Sequence, residues 1–139
     1  HAPHTKEEKT VQTRFERGRQ TGFVVPFGVP GLETTLPLLL TAASEKLLTI
    51  NDIIRLCFEN PSRIFCSSKN CDAKIEVDLY KAYTIENKNL FTKCGWSPFE
   101  GFKVKGKVQR VFIRGKKVFE NDSILVKPGF GQVLLPNRQ

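Results

Sequence analysis

The chain has 139 residues, 40% of them hydrophobic and 26% charged, with a net charge of +8. That length suits one ordinary domain and excludes a complete eight-fold βα barrel, which needs roughly 200 residues. The balance of apolar and charged residues is that of a folded globular chain, and no apolar run approaches the ~20 residues of a membrane span.

Residues 1–9, HAPHTKEEK, are polar and carry the only two histidines, His1 and His4. Histidine is the commonest neutral metal ligand and the general acid or base of choice near neutral pH. Two imidazoles make a weak metal site without a third ligand, so two partnerless histidines fit the spacing equally. The chain contains no Met and begins at His1. The expectation drawn from this is a truncated piece or partial gene product, with processing of a longer precursor as the alternative. Residues 10–28 read as a long loop, basic up to Arg19 and apolar from Phe23 to Phe27.

Gly28-Val29-Pro30-Gly31-Leu32-Glu33 leads into a helix over residues 31–46. Pro30 suits a helix start, and Glu33 lies in the first turn, where the macrodipole favours an anion. Leu32, Leu36, Leu39, Leu40 and Ala43 form one apolar stripe. Pro37 conflicts with a helix interior, which favours a start nearer Thr35. The two glycines let backbone N–H groups approach a ligand, and a helix N-terminus favours anions. A tight turn feeding a capped helix explains the same residues.

Thr49 and Asp52 are spaced for a capping box, which predicts a second helix with Ile53, Ile54, Cys57 and Phe58 on its buried face. Asn60-Pro61 is expected to stop it, with a short turn over residues 62–65. The pattern then changes to period two. Strands are expected over residues 74–79, 105–113, 117–119 and 124–126, with turns at Arg114-Gly115-Lys116 and Asn121-Asp122. Four cysteines, at 57, 66, 71 and 94, lack a C-x-x-C pair and read as free thiols. The positive charge is interleaved with acids, so nucleic-acid binding is not expected. Phe112 and Phe119, the aromatics among the basic strands, fit core packing better than base stacking.

Taken in order, HAPHT with EEK, GVPGLETTLPLLLTA, INDIIRLCFENPSRIF, AKIEVDL, WSPFEG, VKGKVQRVFIRGKKVFE and PGFGQVL resemble the closing part of the dihydroorotases, in the cyclic amidohydrolase family. The resemblance covers nearly all of the chain except residues 10–26, which are longer than the family's usual short link. It implies an α/β fold: the C-terminal fragment of a (β/α)8 amidohydrolase barrel over residues 1–70, then strands of the adjoining β-sandwich over residues 71–139. It implies zinc in the parent enzyme, carbamoyl aspartate and dihydroorotate as substrates, and a cytoplasmic location. His4 matches the family histidine that contacts the substrate carboxylate. Phe27 and Gly28 match the loop whose backbone N–H groups bind substrate, though the family often has proline where Phe27 stands. No catalytic or metal-ligating residue is assigned to the chain itself. The family's metal-binding Asp precedes the position of His1, and its other ligands lie further upstream. The chain alone is therefore expected to be inactive and to oligomerise through barrel-facing helices, with Ile53, Ile54, Leu36 and Leu40 open to water or a partner. Two alternatives are a non-catalytic interaction module and a fragment of a hydantoinase-like or allantoinase-like enzyme.

Overall fold

A computed structural model describes residues 5–7, 15–16, 19–20, 28–65 and 72–132. The elements are β1 (Phe15–Glu16), β2 (Arg19–Gln20), α1 (Leu32–Ser44), α2 (Ile50–Ile54), a π-helical stretch (Arg55–Glu59), α3 (Asn60–Ile64), β3 (Ala73–Thr84), a 3-10 turn (Asn87–Asn89), β4 (Lys103–Ile113), β5 (Lys116–Glu120) and β6 (Ser123–Ile124). The segment expected to be a long loop thus contains a paired element: β1 and β2 run antiparallel, with Phe15 opposite Gln20 and Glu16 opposite Arg19.

Two compact units make up the chain, His1–Leu36 with Tyr83–Lys103 and Pro37–Ala82 with Val104–Gln139. Helix α1 begins at Leu32, so Pro37 stands inside it and the later start near Thr35 is not adopted. The Gly31 carbonyl accounts for the early start. It accepts from the backbone N–H of Thr34 (3.1 Å) and of Thr35 (2.9 Å), and from both threonine hydroxyls (3.2 and 2.7 Å). Four donors on one carbonyl set the first turn before the proline is reached.

In the second unit Thr49 and Asp52 form the expected capping box. The Asp52 N–H donates to Thr49 Oγ1 at 3.1 Å, and the Thr49 N–H donates to Asp52 Oδ2 at 3.0 Å. These bonds, with Arg55 at 2.8 Å from Asp52 Oδ1, hold the Asp52 carboxyl below its usual range, the Thr49 bonds being the larger cause. Asn60-Pro61 does not stop the helix. The chain passes through a π turn, in which the Asn60 N–H donates to the Arg55 carbonyl, and continues to Ile64. A wider turn directly before Pro61 spreads the carbonyls against which its ring would clash, so the proline starts a new α segment. The expected buried face is only partly present. Ile53 is buried, but Ile54, Cys57 and Phe58 are exposed. Leu40, expected to face water or a partner, is buried as well.

The four-stranded sheet has the order β3-β4-β5-β6. Both hairpin turns were legible in the sequence. Arg114 and Gly115 between β4 and β5, and Asn121 and Asp122 between β5 and β6, all have positive φ, as type I′ turns require. The β4–β5 register slips between Val111 and Phe112. The residue left over on β5 is Val118, one of the most buried in the unit, so the bulge turns an apolar side chain into the core. Strand β3 is longer than the alternating stretch 74–79, reaching Thr84. On these strands Arg110 joins Glu76 (3.1 Å) to Glu120 (2.7 Å), while Lys74 and Lys117 pair with the same two carboxylates at 2.7 and 2.8 Å. Glu76 is held below its usual range first by Lys74 and then by Arg110, and Glu120 first by Lys117 and then by Arg110. Arg110 is raised by Glu120 and Glu76 in turn. Phe112 and Phe119 are both half-buried, and Lys74 sits 5.5 Å from the Phe112 ring.

Candidate functional site

The first unit holds the segment that sequence singled out. Gly28 has φ +82°, a conformation glycine adopts freely, and an added Cβ there would meet nothing within 4 Å. Its glycine is therefore required by backbone conformation and not by crowding. Pro30 is buried, Thr34 is 2% exposed, and the turn delivers the chain into α1. His4 and Phe27, the other two residues assigned to substrate, lie outside the described residues.

Glu33 was read as a helix-dipole acid, but its carboxylate does something more specific. Oε1 accepts from the Phe91 N–H at 2.8 Å and Oε2 from the Thr92 N–H at 2.7 Å. A carboxylate spanning two consecutive backbone amides makes a bidentate, charge-assisted tie between residues 58 and 59 positions apart. No spacing rule points to that partner, because the receiving amides belong to an irregular segment. Between the two strands of chain joined this way lies a cleft of about 210 Å³ lined by Pro30, Gly31, Leu32, Thr34, Leu90 and Thr92, among others. Its walls are largely apolar, with the threonine hydroxyls as polar points.

The receiving segment is itself braced. Asn87 donates through Nδ2 to Glu100 and accepts through Oδ1 from the Ser97 N–H at 2.7 Å. Ser97, buried, accepts from the Phe99 N–H at 3.2 Å, closing the turn within WSPFEG. Ile85, also buried, exchanges backbone bonds of 2.9 Å with Gly101 and Phe102. Phe99 and Phe102 meet edge to face at 5.7 Å. In the sequence WSPFEG stands out only through the family resemblance. Its physical role here is to fold the return segment.

Among the described residues, no group of three or more His, Cys, Asp or Glu side chains is placed to hold a metal ion. Both histidines fall outside those residues, so the described donor set does not fit a metal centre. None of the described helices is long and apolar enough to cross a membrane.

The chain is 46% identical over 132 residues to the multifunctional protein CAD of Squalus acanthias, covering 95% of this chain and 5% of that protein. It is 43% identical over 135 residues to a dihydroorotase of Pyrococcus furiosus, covering 92% of this chain and 29% of that enzyme. Among solved structures it matches the inactive dihydroorotase-like domain of a Chaetomium thermophilum CAD-like multifunctional protein. There the TM-score is 0.60 and the identity 29%, over 76% of this chain and 28% of that one. No family model matches. The chain therefore spans less than a third of each of these relatives.

Proposed function

We propose, on the premise that the chain is homologous to the dihydroorotases over most of its length, that it is a segment of a dihydroorotase-type cyclic amidohydrolase. In this reading residues 1–70 are the end of a (β/α)8 barrel and residues 71–139 belong to the adjoining β-sandwich. The parent enzyme interconverts N-carbamoyl-L-aspartate and dihydroorotate in the cytoplasm. The observation that carries the reading is 43% identity to a dihydroorotase over 92% of this chain. The hydantoinase-like alternative rests on a fold likeness to the L-hydantoinase of Arthrobacter aurescens (TM-score 0.74) at 27% identity, against 43% identity to a dihydroorotase.

The part of the chemistry given to this chain is binding. Dihydroorotate carries a carboxylate, and an exposed turn with glycine at positive φ offers backbone N–H groups to it. His4, Phe27 and Gly28 are the residues proposed to hold it, which fixes the ring for attack on the cyclic amide. Zinc, when bound in such an enzyme, supplies a Lewis acid and an activated water. No step of that kind is assigned to residues of this chain.

The test is a fusion in which the chain replaces the homologous stretch of the Pyrococcus furiosus dihydroorotase. The fusion should hydrolyse dihydroorotate, and the 139-residue chain alone should not. A folded but inert fusion would overturn the catalytic reading. It would favour a non-catalytic module, a reading supported by the match to a domain described as inactive.

A further inference from the structure

We infer that Glu33 is a positioning residue: its carboxylate fixes the Gly28–Gly31 turn by tying the start of α1 to the backbone of Phe91 and Thr92. The inference rests on the proposed role of that turn in substrate binding and extends it to a residue that makes no substrate contact.

An acid in the first helical turn ordinarily serves its own helix, as Asp52 does for Thr49. Glu33 is spent differently, with both oxygens on the amides of a distant segment at 2.8 and 2.7 Å. The other end of the tie is equally fixed. Gly31 is held by four donors from Thr34 and Thr35, and the Thr34 side chain is buried. The 90–92 segment is thus joined to Gly31 through the Glu33 carboxylate and the first turn of α1. The receiving segment is itself tied on either side: the Leu90 N–H donates to the Asn87 carbonyl at 3.2 Å, and the Gly95 N–H to the Thr92 carbonyl at 3.2 Å. A turn that offers backbone N–H groups to an anion has no rotamers of its own to adjust. Its aim depends on where its last residue is held.

Amide exchange by NMR on the full 139-residue chain, carrying Phe58→Lys and Phe65→Lys to limit self-association through the exposed helix face, tests this with Glu33→Gln and Glu33→Ala. Losing charge-assisted acceptors should speed exchange at Phe91 and Thr92 about tenfold in Glu33→Ala and less in Glu33→Gln, which keeps one oxygen. The resonances of Gly28, Val29 and Gly31 should move in the same variants. Unchanged exchange at Phe91 and Thr92, or faster exchange there with stationary Gly28–Gly31 signals, overturns the inference. Should Glu33→Ala fail to fold, the near-isosteric Glu33→Gln carries the test. In the fusion enzyme, Glu33→Gln should raise KM for dihydroorotate with kcat held within roughly twofold. A fall in kcat that tracks the folded fraction, at constant KM, also overturns it. An inert fusion with Glu33 intact sinks the parent reading alone, since the exchange result still decides the tie.

Discussion

Gly106 on β4 lies directly against Leu40 on α1: a Cβ built on the glycine would stand 2.7 Å from the leucine Cβ and 2.8 Å from its Cδ1. Gly106 also has φ +101°, so its conformation and its space both exclude a side chain. Beside it the Thr41 hydroxyl accepts from the Lys105 N–H at 2.8 Å and donates to the Pro37 carbonyl at 2.7 Å. At this point the bare glycine backbone of the strand packs on the Leu40 side chain of the helix. Gly106→Ala should destabilise by about 1–3 kcal/mol from overpacking, with backbone strain added. A denaturant midpoint indistinguishable from wild type would show that the contact does not hold in solution. Leu40→Ala should rescue little, because alanine keeps the offending Cβ.

Loss of the Thr49 cap should cost about 0.5–2 kcal/mol, the range for an N-cap threonine replaced by alanine. A denaturation midpoint followed by circular dichroism in Thr49→Ala should read that loss. A Thr49→Ser variant, which keeps the hydroxyl, should lie close to wild type.

Acid should weaken the fold through Asp52, Glu76 and Glu120. Each has its folded pKa depressed, so its stabilising contribution is fully present above the ordinary carboxylate value, about 4. That contribution fades as pH falls below this value and through each depressed pKa. Thermal midpoints measured from pH 6 to pH 2 should fall chiefly at the acidic end. Glu76→Gln with Glu120→Gln should flatten the curve there, and an unchanged slope would count against the Arg110 network. The exposure of these pairs also predicts weaker effects at high salt.

Self-association is the expected behaviour of the isolated chain. Ile54, Leu56, Phe58, Ile64 and Phe65 are 45–70% exposed within a dozen residues, a concentration of apolar surface uncommon on soluble monomers. Sedimentation should show oligomers that grow with concentration, and Phe58→Lys with Phe65→Lys should shift the distribution toward monomer. A sharply monodisperse wild-type monomer across that range would contradict it.

What could be read in the sequence was local. Thr49 and Asp52 are three apart, the two hairpin turns carry residues suited to positive φ, and Ile75 and Val77 alternate with charges, so each signal lies within a few residues. What could not be read depended on partners far along the chain. Glu33 looked like a dipole acid because its true partners are the amides of Phe91 and Thr92. Gly106 passed as an ordinary strand residue because Leu40 is what forbids its side chain. Pro61 looked like a stop because an α-helix was assumed before it. Of the three proposed substrate residues, Gly28 alone lies within the described structure, and its positive φ suits the role without testing it.

The π turn at Arg55–Glu59 has a structural arithmetic of its own. An α-helix advances about 1.5 Å and turns about 100° per residue, and a widened turn spreads one extra residue over nearly the same rotation and rise. Ile64 and Phe65 therefore sit one residue out of step with a plain i, i+4 count from Ile53. Deleting one residue between 55 and 59 would restore a regular helix of nearly the same length and leave the Ile64–Phe65 end on the same side of the axis. Length variation by a single residue is thus conformationally cheap at this position, because it is absorbed before it reaches the end of the helix.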